Sequence, residues 1–430
     1  MSFKGGRTTA FIKLSPLWQM EKADATPMST AAKKQIRVRQ AAPKQTTAPF
    51  ETVRQTSPTT LTFQLSPTHV SYANSLRRAI LTLVETVAFR ADIDEKGSTT
   101  DIRFTKNSTP MSNEMFAHRI GLVPVHVSNP LEWKPDEYAF ELSVKNETTD
   151  PLNITAADIK VSKRGATADD PDTMVPSTEF FHPHPISRST CLLGVLKGRV
   201  GKNPVEEVQC TLRATLGNGR ENARFIPVSM CAYKYTFDTD EDRRKKVFQE
   251  WLASHKKVNT AELEGNPERK GELEREFATM EVARCFLKDE KGEPYSFDFS
   301  IESVGVLTPR YIVARALDIL QAKLMKYASI DKGDLPPSLT IQPADARMKG
   351  FDFMFQGEDH TLGNLLQTWI TEDGDTFAGY KVPHPLRDEM LLRIGVEDGL
   401  QTTARGVVAA AARGCAEMFR SWRSAWEMVR

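Results

Sequence analysis

Hydrophobic and polar positions near the end of the chain follow the period of a strand and then that of a helix. Phe351, Phe353 and Phe355 alternate with more polar neighbours, which predicts a half-buried strand. Asp359 then stands just before an apolar pattern and is a candidate N-cap. The next apolar residues fall on one face of a predicted helix: Leu362, Leu365, Leu366, Trp369 and Ile370.

A similar order of elements occurs near the start of the chain. Leu61, Phe63 and Leu65 alternate as in a strand, and a helix is predicted from Ser71 to about Val87. The apolar residues predicted to face the core from this helix are Tyr72, Leu76, Ile80, Leu83, Val84 and Val87. Arg77 and Arg78 lie off that stripe.

The two stretches suggest an internal repeat. Residues 73–76 correspond to residues 363–366, and residues 118–125 correspond to residues 378–385. We therefore expect one supersecondary unit to occur twice, as a pseudo-symmetric pair packed on each other.

Two further helices carry regular apolar seams. Thr308 and Pro309 predict an N-cap and a first-turn proline. The helix that follows has its seam at Val313, Leu317, Leu320, Leu324 and Tyr327. Residues 402–430 predict a long helix with the seam Val408, Ala411, Cys415, Met418, Trp422, Ala425 and Val429, widened by Phe419 and Trp426. We favour packing between these helices, although the arginines of the second helix leave a membrane-surface helix as the alternative.

The middle of the chain has a different pattern. Short alternating runs separated by Pro, Gly and Asp predict an inserted β-rich domain, and residues 238–288 predict a charged helical excursion. We expect an α+β fold. Its predicted parts are a basic disordered tail (1–56), a first αβ domain (57–130 with 290–330), the insert (131–289), a linker (331–345) and a second αβ domain (346–430).

Composition narrows the possible functions. The net charge of +1 gives no global field for nucleic acid, so only the basic tail could attract phosphate directly. The start of the chain has no apolar core behind a basic segment, and no run is long enough to cross a bilayer, so we expect neither a signal peptide nor a membrane span. The five cysteines are odd in number and lack C-x-x-C spacing, which favours a reducing interior.

Candidate metal and catalytic residues are few. His118 has no cysteine or acid at ligand spacing, and His182 and His184 stand among prolines, so we expect no metal and no cofactor. The residues 373–375 offer two aspartates, but in a predicted turn rather than a two-metal cluster. No P-loop or hydrolase motif is present, so no catalytic residues are predicted.

Several motifs resemble the subunits of one kind of complex. The stretches E-D-H-T-L-G-N-L-L (358–366) and F-A-G-Y-K-V-P-H-P-L (377–386) resemble the small L-type assembly subunit of archaeal and eukaryotic RNA polymerases. The residues of this chain that carry the L-type motif are His360, Gly363, Asn364, Tyr380, Pro383, His384 and Pro385.

The first half resembles the D-type subunit, a relative of the bacterial alpha N-terminal domain and of the third-largest eukaryotic subunit. The matching stretches are N-S-L-R-R-A-I (74–80), the segment 107–125, the segment 223–233 and F-D-F-S-I-E-S-V-G-V-L-T-P (297–309). The cysteine-bearing metal motif of many D-type subunits is missing here. The resemblance implies a docking face for the second-largest polymerase subunit at Arg77, Arg78, Arg119, Gly121 and Pro124.

Together these resemblances imply a fused D-plus-L subunit, a gene fusion known in polymerases of large eukaryotic DNA viruses. They imply a non-catalytic assembly platform that pairs its halves and docks the largest and second-largest subunits together with small assembly subunits. It would touch DNA only through the complex, bind no membrane or small-molecule substrate, and act in the cytoplasm or nucleus, or in a virion if viral. The alternative is a basic-tailed nucleic-acid-binding protein outside a polymerase.

Overall fold

The computed structural model describes residues 49–92, 101–165, 170–201, 204–258, 265–345, 348–372 and 376–429, and these form an α+β fold, as predicted. The strands are β1 (Phe50–Gln55), β2 (Thr60–Leu65), β3 (Glu85–Phe89), β4 (Ile102–Asn107), β5 (Tyr138–Asn146), β6 (Leu152–Thr155), β7 (Ile159–Lys163), β8 (Thr173–Val175), β9 (Leu192–Leu196), β10 (Glu206–Leu212), β11 (Ala214–Asn218), β12 (Val228–Tyr235), β13 (Phe297–Ser303), β14 (Leu339–Pro343), β15 (Gly350–Gln356), β16 (Ala378–Lys381) and β17 (Glu389–Gly395). The α-helices are α1 (Val70–Thr82), α2 (Asn113–Gly121), α3 (Glu241–Trp251), α4 (Pro267–Glu276), α5 (Pro309–Met325), α6 (His360–Thr371) and α7 (Gln401–Met428).

The first sheet is antiparallel, in the order β1-β2-β13-β12, and it packs with α1 and α5 in what we call the first layer. Phe63 of β2 stacks on Phe299 of β13, with ring centroids 5.0 Å apart. The predicted strand at Leu61–Leu65 is confirmed as β2, which pairs with β13. Strand β1 starts at Phe50, inside the tail predicted to be disordered, because it gains ladder hydrogen bonds from β2. The rest of that tail, residues 1–48, lies outside the described residues.

Helix α1 ends five residues before the predicted end at Val87. Leu83 caps it by donating its N–H to Ala79 O at 2.9 Å. Glu85–Phe89 then forms β3 and pairs with β11 in an antiparallel ladder. The prediction was wrong here because Thr86 and Val87 are β-branched and favour a strand once a partner strand is available.

A β-rich region with its own core follows. Its main sheet has the order β4-β10-β5-β7-β8, and β6 pairs with β9. The core also draws on α2 and on β3, so it extends outside the predicted insert at 131–289; its largest buried side chains include Phe89, Phe116 and Phe140. Helices α3 and α4 confirm the predicted helical excursion and enclose a small core around Trp251 and Phe277.

The second sheet has the order β14-β15-β17-β16 and packs with α6 and α7 in what we call the second layer. Asp359 is the N-cap of α6 as predicted, since its carboxylate accepts the N–H of Thr361 at 2.8 Å. Strand β14 lies in the segment expected to be a linker, because Leu339 and Ile341 pair with Phe355 and Phe353 of β15. The connector between the layers is thereby shortened to residues 331–338.

The predicted repeat holds only in part. Helices α1 and α6 correspond, each following a strand and each capped by a side chain, His69 and Asp359. The second correspondence was wrong, because His118 lies in helix α2 whereas Ala378 lies in strand β16. Helix α2 is started by the Ser112 cap, while β16 is held by pairing with β17.

Candidate pairing interface

Helices α5 and α7 pack against each other along the seam that joins the two layers. The twelve predicted seam positions lie within these helices or close to their ends. Nine of them are buried (Val313, Leu317, Leu320, Leu324, Tyr327, Val408, Ala411, Cys415 and Trp422), and Met418 and Ala425 are half-buried. Tyr327 lies just past the end of α5, and half-buried Val429 is the C-cap of α7. Burying each large apolar side chain contributes about 1.5–3 kcal/mol of free energy. The buried seam therefore stabilises the packing of the two layers against each other.

An aromatic cluster covers the C-terminal end of the seam. Phe50 of β1 lies edge-on to Trp426 and Trp422, with ring centroids 4.8 and 6.1 Å apart, and Phe63 is 5.3 Å from Trp426. Sequence reasoning placed Phe50 in the disordered tail and missed this contact. The signal available was a single aromatic residue, which does not reveal a pairing partner more than 370 positions away.

Three arginines of α7 contact α5 or the connector that follows it. Arg423 Nε lies 3.1 Å from Asp318 of α5, and Arg413 Nη1 lies 3.1 Å from Asp331 in the connector. Arg405 donates to the carbonyl of Ile330 at 2.6 Å. Among helices of the described residues, none is both long and apolar enough to cross a membrane.

A second, polar contact joins α1 to α6. Thr368 donates to Ser71 Oγ at 2.9 Å, and Asn364 Nδ2 donates to the same oxygen at 3.0 Å. Tyr72 Oη donates to Glu372 at 2.9 Å. These hydroxyl and amide contacts were missed, because in the sequence Ser71 and Thr368 read only as small residues on helices.

Arg78 lies in this polar contact. Its Nη2 is 2.8 Å from Asp359 Oδ2, and its Nε donates to Thr361 Oγ1 at 2.8 Å. Burial opposes ionisation of Asp359, but the hydrogen bonds from Thr361 and the charges of Arg78 and Lys323 outweigh it and hold the pKa of Asp359 below its usual value. Asp359 is therefore a carboxylate that caps α6 and binds α1.

Two further cations of the first half reach the second layer. Lys323 of α5 forms an ion pair with the buried Glu358, to which Tyr327 also donates at 3.3 Å. Burial, together with the charge of Glu358, raises the pKa of Tyr327 to about 12. Arg220 donates to the Gly357 carbonyl at 2.8 Å and forms an ion pair with Asp388.

The other residues predicted for docking lie on α1 and on or just after α2. Arg77 donates from Nε to Asn74 on its own helix at 3.0 Å. Arg119 is exposed on α2 and donates to the Leu192 carbonyl at 2.9 Å. Gly121 is buried where a Cβ would lie 3.0 Å from Phe89 O, and Pro124 is half-buried. Of the arginines predicted for docking, Arg78 therefore contacts α6, whereas Arg119 is exposed at the surface.

The L-type motif residues surround the start of α6. Gly363 permits close packing, because a Cβ there would lie 2.4 Å from the ring of Tyr380. His360 is exposed, with its ring centroid 5.8 Å from that of Tyr380, and Asn364 contacts Ser71 as described above. Pro383, His384 and Pro385 of the motif are exposed as well.

The candidate metal residues have other partners. His184 Nδ1 accepts the N–H of Ser187 at 3.2 Å, and His182 stacks on His126 with centroids 3.7 Å apart. Within the described residues, no three or more His, Cys, Asp or Glu side chains come together as metal ligands would. Burial raises the pKa of Cys210 and Cys231 to about 12, so these thiols are protonated at neutral pH.

Comparisons with known proteins agree with this geometry. Residues 62–324 and residues 351–425 each match the RNA polymerase Rpb3/Rpb11 dimerisation domain. The first match alone spans more than half of the chain, which therefore belongs to this family.

The relatives include polymerase subunits from archaea and eukaryotes. The DNA-directed RNA polymerase II subunit RPB3 of Schizosaccharomyces pombe is 28% identical over 301 residues, covering 64% of this chain and 84% of the relative. The DNA-directed RNA polymerase subunits Rpo3 of Methanopyrus kandleri and Pyrococcus furiosus are 25% and 26% identical over 281 and 282 residues; these alignments cover 61% and 62% of this chain and 88% and 91% of the relatives. The predicted class, an alpha-like polymerase subunit without catalytic residues of its own, is confirmed by the family match and these relatives.

Proposed function

We propose that the chain is the assembly platform of a multisubunit DNA-directed RNA polymerase, with two alpha-like pairing units in one polypeptide. The observation that carries the proposal is the occurrence of two matches to one dimerisation family on either side of the α5–α7 seam. On this proposal the first layer is the D-like unit, the β-rich region is its insert, and the second layer is the L-like unit.

Fusion has a thermodynamic consequence for pairing. A short connector gives the two units an effective concentration of about a millimolar, so pairing does not depend on meeting a separate partner. At dilute subunit concentrations this favours the paired state by several kcal/mol, since each factor of ten is worth about 1.4 kcal/mol. We propose that the chain arose by a gene fusion of the kind known in large eukaryotic DNA viruses.

The proposed partners are the largest and second-largest polymerase subunits together with small assembly subunits. Support comes from exposed apolar side chains in both halves. Met115 and Leu122 are 62% and 55% exposed near Arg119 on α2, and Phe377 and Leu386 are 57% and 90% exposed in the L-type motif. Clustered apolar and arginine side chains are common at protein interfaces.

The complex would act inside the cell, in the cytoplasm or nucleus, or in a virion if the chain is viral. The chain would contact DNA only through that complex. The alternative, a nucleic-acid-binding protein outside a polymerase, depends on the basic tail, most of which lies outside the described residues.

Docking is tested by co-expression of the tagged chain with the two large subunits of the same polymerase. Met115→Asp combined with Leu122→Asp should abolish recovery of the second-largest subunit, because charges would be buried in the interface. Met280→Asp, at a side chain 77% exposed on the helical excursion, is the matched control and should assemble normally. Normal assembly of the double variant, with an unchanged circular dichroism spectrum, would exclude this docking face.

A further inference from the structure

The contact between α1 and α6 has an internal pseudo-twofold relation. Counting from the N-caps His69 and Asp359, Arg78 and Thr368 occupy the same ninth position, and Ser71 and Thr361 the same second position. In both directions the ninth residue of one helix contacts the second residue of the other. Arg78 Nε donates to Thr361 at 2.8 Å, and Thr368 donates to Ser71 at 2.9 Å.

Charge breaks this symmetry. On one side Arg78 faces the carboxylate of the N-cap Asp359 at 2.8 Å. On the equivalent side a neutral threonine, Thr368, faces the end of α1 that is capped by His69. Among the ion pairs of the described residues, Arg78–Asp359 therefore has no counterpart between Thr368 and the start of α1.

We propose that Arg78 and Asp359 make the pairing heterologous, so that a first layer accepts a second layer and rejects another copy of itself. The inference rests on the proposed function as a pairing platform. In a pair of two first layers, each Arg78 would face the histidine cap of the other and lose its carboxylate. In a pair of two second layers, each Asp359 would face a threonine and lose its cation.

The surrounding charges support the same choice of partner. Lys323 and Arg220 on the first half also bind acids of the second layer, Glu358 and Asp388. The acidic start of α6 is therefore matched to a basic surface of the first half. Selectivity in such interfaces comes from the unpaired or like charges that arise in the wrong pair, as well as from the attraction in the right one.

The test uses the full chain with a protease site inserted after Asp334 in the exposed connector and cut after folding. The tagged first layer is immobilised, and retention of the second layer is followed on dilution. Arg78→Asp or Asp359→Arg alone should weaken retention by about tenfold or more, because like charges then meet at the contact. The charge-swapped double variant should retain the second layer about threefold or more better than either single variant, but less well than the unmodified protein, because Asp359→Arg also removes the cap of α6.

Arg77→Asp is the matched control, since Arg77 is the neighbouring arginine on α1 and binds only Asn74 of its own helix among the hydrogen bonds described. It should retain the second layer normally. Equal weakening by Arg77→Asp, or no recovery in the double swap, would overturn the proposal.

Like-with-like pairing is tested by mixing nicked tagged and untagged protein. The tagged first layer should exchange and capture untagged second layers but not untagged first layers; stoichiometric capture of first layers would overturn the proposal. Failure of the platform function itself would be seen separately, as an intact unmodified chain that recovers no large polymerase subunits while the charge-swap result stands.

Discussion

Gly414 and Gly406 lie on the same helix, α7, in different surroundings. A Cβ at Gly414 would lie 2.2 Å from Cζ2 and 2.5 Å from Cε2 of Trp369, on α6. A Cβ at Gly406 would meet nothing within 4 Å. The same change, glycine to alanine, therefore tests the close approach of α6 and α7 with the helix propensity held constant.

Alanine is more favourable than glycine inside a helix by about 0.5–1 kcal/mol, and overpacking costs about 1–3 kcal/mol. Gly406→Ala should thus raise the free energy of unfolding by about 0.5–1 kcal/mol. The free energy of unfolding of Gly414→Ala should be about 1–3 kcal/mol lower than that of Gly406→Ala, because Gly414→Ala has the same gain in helix propensity but also the clash with Trp369.

The assay is urea unfolding followed by tryptophan fluorescence and circular dichroism. In a Trp369→Leu background the clashing ring atoms are gone, so Gly414→Ala should there behave like Gly406→Ala. The reasoning would be refuted if Gly414→Ala stabilised the unmodified protein as much as Gly406→Ala does.

Further predictions address the seam, the thiols, pH and metals. Leu320→Asp with Trp422→Asp should make the connector sensitive to protease, whereas resistance equal to that of the unmodified chain would contradict pairing through α5 and α7. Native protein should react with a thiol reagent at Cys191 alone, since it is exposed and the other four cysteines are buried; labelling of a second cysteine before unfolding would contradict the packing. Burial and, to a smaller extent, His182 lower the pKa of His126 against the opposing hydrogen bond to Phe180 O. The unfolded chain therefore takes up this proton first, and stability should fall as the pH drops below about 6.5. His126→Gln should reduce that fall in a comparison of urea midpoints at pH 7.5 and 5.5, and an unchanged fall would assign it to other groups. Elemental analysis should find no stoichiometric zinc or iron, and one metal per chain would refute this.

Local sequence patterns predicted the elements in which apolar residues recur at the regular spacing of a strand or a helix. The alternation of Phe351, Phe353 and Phe355 was enough for β15, and the spacing of the seam residues was enough for α5 and α7. The Asp359 cap was also readable, because a cap depends on neighbours within a few residues.

Elements that depend on distant partners could not be read in this way. Strand β14 forms because it pairs with β15. Strand β1 forms because it pairs with β2 and because Phe50 packs against the tryptophans of α7. The sequence showed only that Arg78 lies off the apolar stripe of its helix. That position fits an arginine exposed to solvent as well as one that binds a partner. Its contact with Asp359, 281 positions later, is fixed only by the packing of the two layers.

The composition of the intact complex tests the central claim most directly. The tagged chain would be purified from cells that express it naturally, and the assembly weighed by native mass spectrometry. A fused platform predicts one copy of this chain with one largest and one second-largest polymerase subunit, and no separate Rpb11-type subunit. A complex that lacks the large subunits, or that contains a stoichiometric separate Rpb11-type subunit, would contradict the account.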